Sequence, residues 1–202
     1  MSRTLFTSRA LGDLKDLTLR ESLRAELSLD ALVFMEQSHS DIVRIVDATS
    51  VTQECDALVT TSKGVGLAAL AADCMPIVFT SPSIVGVAHV GRVGLVKEIA
   101  IKVVDQMRQL GAKEITVTIG PSICWKCYEV SPEMYEEITR LIPATATSLE
   151  SHALNLQAGV RSQLESVGVS VIDLGICTLE NPLYFSYRGG DQSARAAGII
   201  SL

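Results

Sequence analysis

The side chains in this sequence best suited to metal binding or nucleophilic chemistry are Cys74 and His89. The first ends the stretch Ala71-Ala72-Asp73-Cys74, just ahead of Pro76, and the second lies in Val87-Ala88-His89-Val90-Gly91-Arg92-Val93-Gly94. An apolar run separates them, which places them at the two ends of a strand pair where they could converge. His39, in the polar stretch 36–41 between two apolar runs, is the third candidate, because a histidine in a polar turn is an exposed tip or a site residue and seldom core. Two imidazoles and a thiolate suit a catalytic zinc with one open position. The same Cys74 and His89 also suit a cysteine hydrolase, with nucleophile and base. A structural reading stands beside both: His39 as a loop tip, Cys74 as buried filler, His89 bonded to a carbonyl. By spacing alone the structural reading is favoured, since no short ligand motif links these residues, and nothing in the residues chooses between zinc ligand and nucleophile.

Other candidates are fewer. Cys124 and Cys127 form one Cys-x-x-Cys, which reads as redox-active or as half a zinc site. No second such pair exists and a Gly-Pro break precedes it, so a structural loop near the site is favoured, with Cys55 and Cys177 as packing residues. Arg188 and Arg195 lie in a polar, Gly-containing segment where a guanidinium fork could take phosphate or carboxylate. For either one alone, a solvated surface arginine is the commoner outcome. His152 reads as a capping or solvent residue.

These residues need a scaffold. Strands are expected over 6–9, 30–35, 42–46, 56–60, 77–80, 84–90, 114–119 and 169–174, and over 65–72, whose unbroken small apolar run suits burial on both faces. Pro76 lacks a ladder donor and is expected to begin the following strand rather than sit inside it. Helices are expected over 14–27, over 95–110 with Gly111 as its stop, from Ser131-Pro132 to about 141, and over 154–167.

Composition narrows the class. A length of 202 residues suits one well-buried domain, and 48% apolar with only 4% aromatic residues means a core of Val, Ile, Leu and Ala, as in layered α/β proteins. A net charge of -6 without a Lys/Arg cluster argues against a nucleic-acid partner and for a small molecule. No window approaches the ~18 apolar residues of a membrane span, and the first residues lack the apolar core of a secretory signal, so a cytoplasmic location is expected. The odd cysteine count then argues against a disulfide framework.

Taken in order, several motifs resemble those of the laccase-domain family, also called the polyphenol oxidase family, whose members are described as purine nucleoside phosphorylases. They are Gln37-Ser38-His39, Ala72-Asp73-Cys74-Met75-Pro76, Ala88-His89-Val90-Gly91-Arg92-Val93-Gly94, Gly120-Pro121-Ser122-Ile123, Cys127-Tyr128-Glu129-Val130, Cys177-Thr178 and Ser186-Tyr187-Arg188. The resemblance runs from about residue 4 to the C-terminus. It implies a single α/β domain over 1–202, with a mixed sheet flanked by helices and related to cysteine hydrolases. It places His39, Cys74 and His89 at the family's metal-ligand positions, with zinc as the expected metal and copper as the alternative.

The implied activity is phosphorolysis of purine nucleosides by inorganic phosphate, with adenosine deamination and methylthioadenosine phosphorolysis beside it. Arg188, Arg92, Arg195 and Gln37 are then the expected substrate contacts. The alternatives are a Cys74/His89 hydrolase, a copper-dependent polyphenol oxidase and a non-catalytic metal- or nucleotide-binding protein. The copper oxidase ranks low, because several copper centres need more histidines than the three here. The chain departs from the family pattern in three places. Arg92 and Val93 stand where Trp and Arg are usual, Asn155 replaces a common Asp, and the segment between Arg9 and His39 is short.

Overall fold

The computed structural model describes residues 2–148 and 150–202. Its elements in chain order are β1 (Arg3–Phe6), α1 (Leu17–Glu26), β2 (Ala31–Phe34), β3 (Val43–Ile45), β4 (Ala57–Thr60), β5 (Val65–Ala71), β6 (Met75–Thr80), β7 (Val85–Val90), α2 (Arg92–Val96) and α3 (Ile99–Gln109). There follow β8 (Thr116–Ile119), α4 (Pro132–Leu141), α5 (Leu156–Ser166), β9 (Ser170–Asp173) and β10 (Ala196–Ser201). The mixed α/β architecture expected from sequence is what the chain adopts, with its strands divided between two mixed sheets. One runs β1-β10-β5-β2 and the other β3-β4-β7-β6-β8-β9.

Side-chain alternation along the strands assigns each face. On β4 and β6, Leu58 and Val78 point between the sheets, where they meet Val33, Leu67, Ala69, Val85, Val87 and Ile200. Their neighbours Ala57, Val59, Ile77 and Phe79 point the other way, onto Val103, Val104 and Met107 of α3 and Val160 and Leu164 of α5. The outer face of the smaller sheet is closed by Leu23 of α1 against Phe34, Ala68 and Ile199. The layers are therefore helix, sheet, sheet, helices. β5 is continuously apolar because it is covered on one face by α1 and on the other by the second sheet. Each fully buried Leu, Val or Ile in these layers contributes ~1.5–3 kcal/mol.

The ladders bring one end of the sandwich together. β2 and β5 run parallel, so their C-terminal ends lie side by side, and Met75 at the start of β6 pairs with Val90 at the end of β7. Gln37 and Cys74 leave the sheets at that end, where His89 lies one residue before the end of β7.

Three expectations are corrected. The first strand lies at Arg3–Phe6 rather than over 6–9. Pro76 is the second residue of β6, opposite His89, rather than the residue that begins the strand. Its carbonyl accepts from the Gly120 N–H at 2.9 Å on the β8 side, where the ladder has already ended at Ile77 and Ile119, so its missing N–H removes no regular rung. The segment expected as one helix over 95–110 is two, α2 and α3, divided at Glu98, which adopts a left-handed φ of 58°. The break lets α2 start directly from Gly91 at the site while α3 turns to lie on the sheet. By contrast, Ser131 caps α4 by accepting from Met134 N–H at 3.3 Å, with Pro132 in its first turn as its sequence implies.

Candidate active site

Asp56 is the residue from which the site is built. It sits immediately before β4, is fully buried, and its backbone carbonyl accepts from His89 N–H at 2.8 Å. Its side chain is saturated: Oδ2 accepts from the Ser38 N–H at 3.2 Å, the Ser40 N–H at 2.6 Å and the Ser40 hydroxyl at 2.8 Å, while Oδ1 lies 2.8 Å from His89 Nδ1. Burial opposes the charge, but His89 and Ser40 outweigh it and hold the carboxyl down to about 2. An ionised carboxylate can only accept, so His89 Nδ1 carries a proton, and in the neutral imidazole Nε2 is the nitrogen left for chemistry. One carboxylate thus orients His89 and ties down the turn that presents His39.

His39 occupies that turn at a left-handed φ of 57°, and Lys97 Nζ donates to its carbonyl at 3.1 Å. Cys74 leaves β5 through Asp73, another non-glycine residue at positive φ, 86°. That backbone is pinned by the Asp73 carboxylate, which accepts from the Thr178 hydroxyl and the Arg188 backbone N–H, each at 2.7 Å. Gly91 completes the surroundings, since a Cβ there would stand 2.8 Å from Cys74 Sγ and 3.5 Å from a His39 ring carbon. A side chain at 91 would displace the thiol.

These elements bring His39, Cys74 and His89 together. Cys74 Sγ lies 4.0 Å from His39 Nε2, the two imidazole rings meet edge to face with centroids 4.8 Å apart, and one donor atom from each residue falls within 4.8 Å of the others. Burial pushes the Cys74 thiol up, but the two imidazoles reverse the shift and hold it at about 6, while His89, despite burial, is raised to about 9 by Asp56 and Cys74. In metal-free protein Cys74 is therefore a thiolate at neutral pH. Its alkylation by iodoacetamide, followed by peptide mass spectrometry after chelation, is expected to rise with a midpoint near pH 6. Replacing His39 by Ala should move that midpoint upward.

The donor set fits a divalent metal. Two imidazoles and one thiolate are the ligand types zinc accepts, and a buried carboxylate behind the imidazole is the outer support that metal-bound histidines receive. Three protein donors facing a cleft leave a fourth position open.

The cleft has a volume of 590 Å³. Its walls include Met35, Leu70 and Ile123 on the apolar side, Tyr128 and Tyr187 as aromatic surfaces, and Lys15, Arg188 and Arg195 as cations. Arg188 donates to the carbonyls of Cys127 at 3.3 Å and Glu129 at 3.0 Å. Gln37 lines the cleft with its amide bonded both ways to the Leu70 backbone, at 2.9 and 2.8 Å. Arg195 spends one guanidinium nitrogen on the carbonyls of Asp191, Gln192 and Ala194. Arg92 is not brought into this cleft; it lines a narrow adjoining recess with Asp73, Cys74 and Tyr128.

Asp56, Asp73, Lys15 and Tyr128 were not singled out from sequence. An aspartate directly before an unbroken apolar strand was the available signal for Asp56. Cys55 is buried among apolar residues as expected, but Cys177 does more than pack, because its sulfur accepts from the Cys124 N–H at 3.3 Å. Asn155 caps α5 by accepting from the Ala158 N–H at 2.9 Å, and the His152 ring lies edge-on to Tyr135.

A two-sheet α/β domain whose sheet ends hold two histidines and a cysteine over a cationic, aromatic cleft defines a class of small-molecule site with room for a metal. The chain belongs to the family described as multi-copper polyphenol oxidoreductase laccase, whose model matches residues 15–202, in agreement with the resemblance carried by its motifs. Over 196 residues it is 38% identical to a Streptomyces griseus protein named purine nucleoside phosphorylase ORF3, spanning 91% of this chain and 80% of the relative. It is 31% identical over 198 residues to a protein of an unknown prokaryote named adenosine deaminase RL5, spanning 86% and 75%. Among solved structures, Neisseria meningitidis protein NMB0706 superposes with a TM-score of 0.85 at 25% identity, over 100% of this chain and 94% of that one. YlmD from Geobacillus stearothermophilus superposes at 0.80 and 26%, over 99% and 91%. No helix among the described residues is long and apolar enough to cross a membrane.

Proposed function

We propose that the protein is a zinc-dependent purine nucleoside phosphorylase with His39, Cys74 and His89 as metal ligands. The observation that carries the reading is the convergence of these three side chains beneath a cleft that also presents Arg188. The names of relatives at 31–38% identity supply the substrate class.

In this reading the purine lies against Tyr128 or Tyr187 and the apolar wall of Met35, Leu70 and Ile123, because a flat heterocycle loses little and buries much there. Arg188 is held by two backbone carbonyls, and a guanidinium has five N–H donors, so those not used on the wall are available to phosphate. Lys15 and Arg195 add positive charge on the same cleft. Phosphate positioned by these cations attacks the ribose C1′, the glycosidic C–N bond breaks, and the purine departs with its electron pair and takes up a proton. His89, its Nδ1 proton fixed on Asp56, presents Nε2 to the centre. When bound there, a divalent cation supplies Lewis acidity. The same centre would serve deamination of adenosine, in which water replaces the C6 amino group.

Cys74, His89 and Asp56 also have the order of a cysteine–histidine–carboxylate triad, which supports the cysteine hydrolase as the competing reading. Copper-dependent phenol oxidation is less well supported, since the whole chain has three histidines. Purified zinc-loaded protein is expected to release hypoxanthine from inosine only when inorganic phosphate is present, with ribose 1-phosphate as co-product. Base release at the same rate without phosphate rejects the phosphorylase reading.

A further inference from the structure

A second group of donors lies outside the cleft. β8 and β9 run parallel, with Ile119 opposite Asp173, so the loops that follow them leave the sheet side by side. The pairing continues beyond the strands: Ser122 N–H donates to the Ile176 carbonyl at 3.0 Å and Thr178 N–H to that of Ser122 at 3.1 Å. The first loop carries Cys124 and Cys127 and the second Cys177 and Glu180. Cys127 and Tyr128 N–H groups both donate to the Cys124 carbonyl, at 3.0 and 3.1 Å, which closes the Cys-x-x-Cys into a tight turn. All three thiols are free, and Cys124 Sγ stands 3.9 Å from a Glu180 carboxylate oxygen.

We propose that Cys124, Cys127, Cys177 and Glu180 form a second metal centre, a closed four-donor zinc site distinct from the His39–Cys74–His89 group. One donor atom from each of the four falls within 4.8 Å of the others. Zinc–sulfur bonds of ~2.3 Å put tetrahedral sulfurs about 3.8 Å apart, so closure needs shifts of an ångström or less. Three sulfurs and a carboxylate satisfy zinc without an open position, and a closed set is the mark of a structural centre rather than a catalytic one. Three thiolates match a soft, thiophilic cation and disfavour magnesium or calcium, which take oxygen.

The arrangement suits this role better than the alternatives. As apolar filler, Cys124 and Cys127 are misplaced, because both are only partly buried and a carboxylate faces them. As a redox dithiol, the turn lacks the helix N-terminus that stabilises a reactive thiolate. Binding of a dication there would deprotonate the cysteines and release their protons.

The consequence reaches the cleft. Cys127 and Glu129 supply the carbonyls that anchor Arg188, Tyr128 between them lines the cleft, and Thr178, next to Cys177, holds Asp73 beside Cys74. A metal tying residues 124–127 to residues 177–180 would fix that wall.

The test is metal analysis of the full chain purified under reducing conditions with zinc present. Wild type is expected to carry two zinc per chain, Cys74→Ala one, and the double variant Cys124→Ser/Cys127→Ser one. Cobalt loaded into Cys74→Ala should give tetrahedral visible bands with strong sulfur-to-cobalt charge transfer, which the first site can no longer produce. Glu180→Gln, an exposed change that leaves the three cysteines in place, should keep the circular dichroism of wild type and weaken zinc at this centre ~10-fold or more. The proposal is overturned if Cys74→Ala holds no zinc, if the double variant keeps both equivalents, or if mass spectrometry finds Cys124 and Cys127 joined in a disulfide. None of these readouts depends on which substrate the cleft takes.

Discussion

Replacing Cys74 by Ala is expected to remove one zinc per chain and to lower turnover more than ~100-fold. Loss of a residue that only supports a metal ligand already costs ~10–100-fold in affinity or activity, and Cys74 supplies a donor atom itself. The two histidines left behind cannot complete a three-donor site. The fold should survive, because Cys74 is only half-buried and the change removes a single sulfur; about 1 kcal/mol or less is expected in denaturant melts of the two metal-free proteins. The zinc reading and the cysteine-hydrolase reading both expect Cys74→Ala to be inactive, so chelation separates them. Under the zinc reading, chelated wild type is inactive and zinc restores it. If chelated wild type keeps its full rate and loses it on alkylation, Cys74 is a nucleophile and the metal claim fails.

How much of this site could be read in advance depended on the range of each interaction. Ser131 and Pro132 announce α4 because a cap is made within one turn, with Ser131 bonded to Met134. The small apolar residues of β5 announce a doubly covered strand for the same local reason. Cys74, His89 and His39 were legible as reactive types beside chain breaks, although their convergence needs sheet ends that only the register supplies. Glu98 was not legible as a helix break, because the apolar period continues through it while the left-handed turn is imposed by packing α2 at the site and α3 on the sheet. Cys177 reads as a packing residue in the sequence because its partner Cys124 is 53 positions away and the two meet only through the parallel pairing of β8 and β9. Asp56 is not legible in the sequence because a carboxylate beside a strand is ordinarily solvated; it is buried here only because His89, 33 positions on, and the turn at Ser38 and Ser40 converge on it.

Asp56 is accordingly the position where the smallest chemical change should separate fold from function. Asp56→Ala removes the acceptor of four hydrogen bonds and leaves His89 buried without its partner, at an expected cost of ~3–5 kcal/mol in unfolding free energy. Asp56→Asn keeps the shape. With its amide oxygen in place of Oδ2 it still accepts from Ser38 and Ser40, so the turn that carries His39 persists. Its amide nitrogen then faces His89 Nδ1 and donates to it, which forces the imidazole proton onto Nε2, the nitrogen directed at the centre. A protonated Nε2 cannot ligate a metal, and the alternative, an N–H facing an NH₂, leaves a buried donor unmatched. The Asn variant is therefore expected to fold as wild type and to bind zinc at the cleft ~10–100-fold more weakly, with activity falling in proportion. Nitrogen-15 imidazole shifts of the metal-free variant, recorded above pH 9 where the wild-type ring is also neutral, should report the Nε2–H tautomer. A variant with that tautomer and unchanged zinc affinity would show that His89 is not a ligand, whereas one with wild-type tautomer and weakened zinc would place the role of Asp56 in the His39 turn.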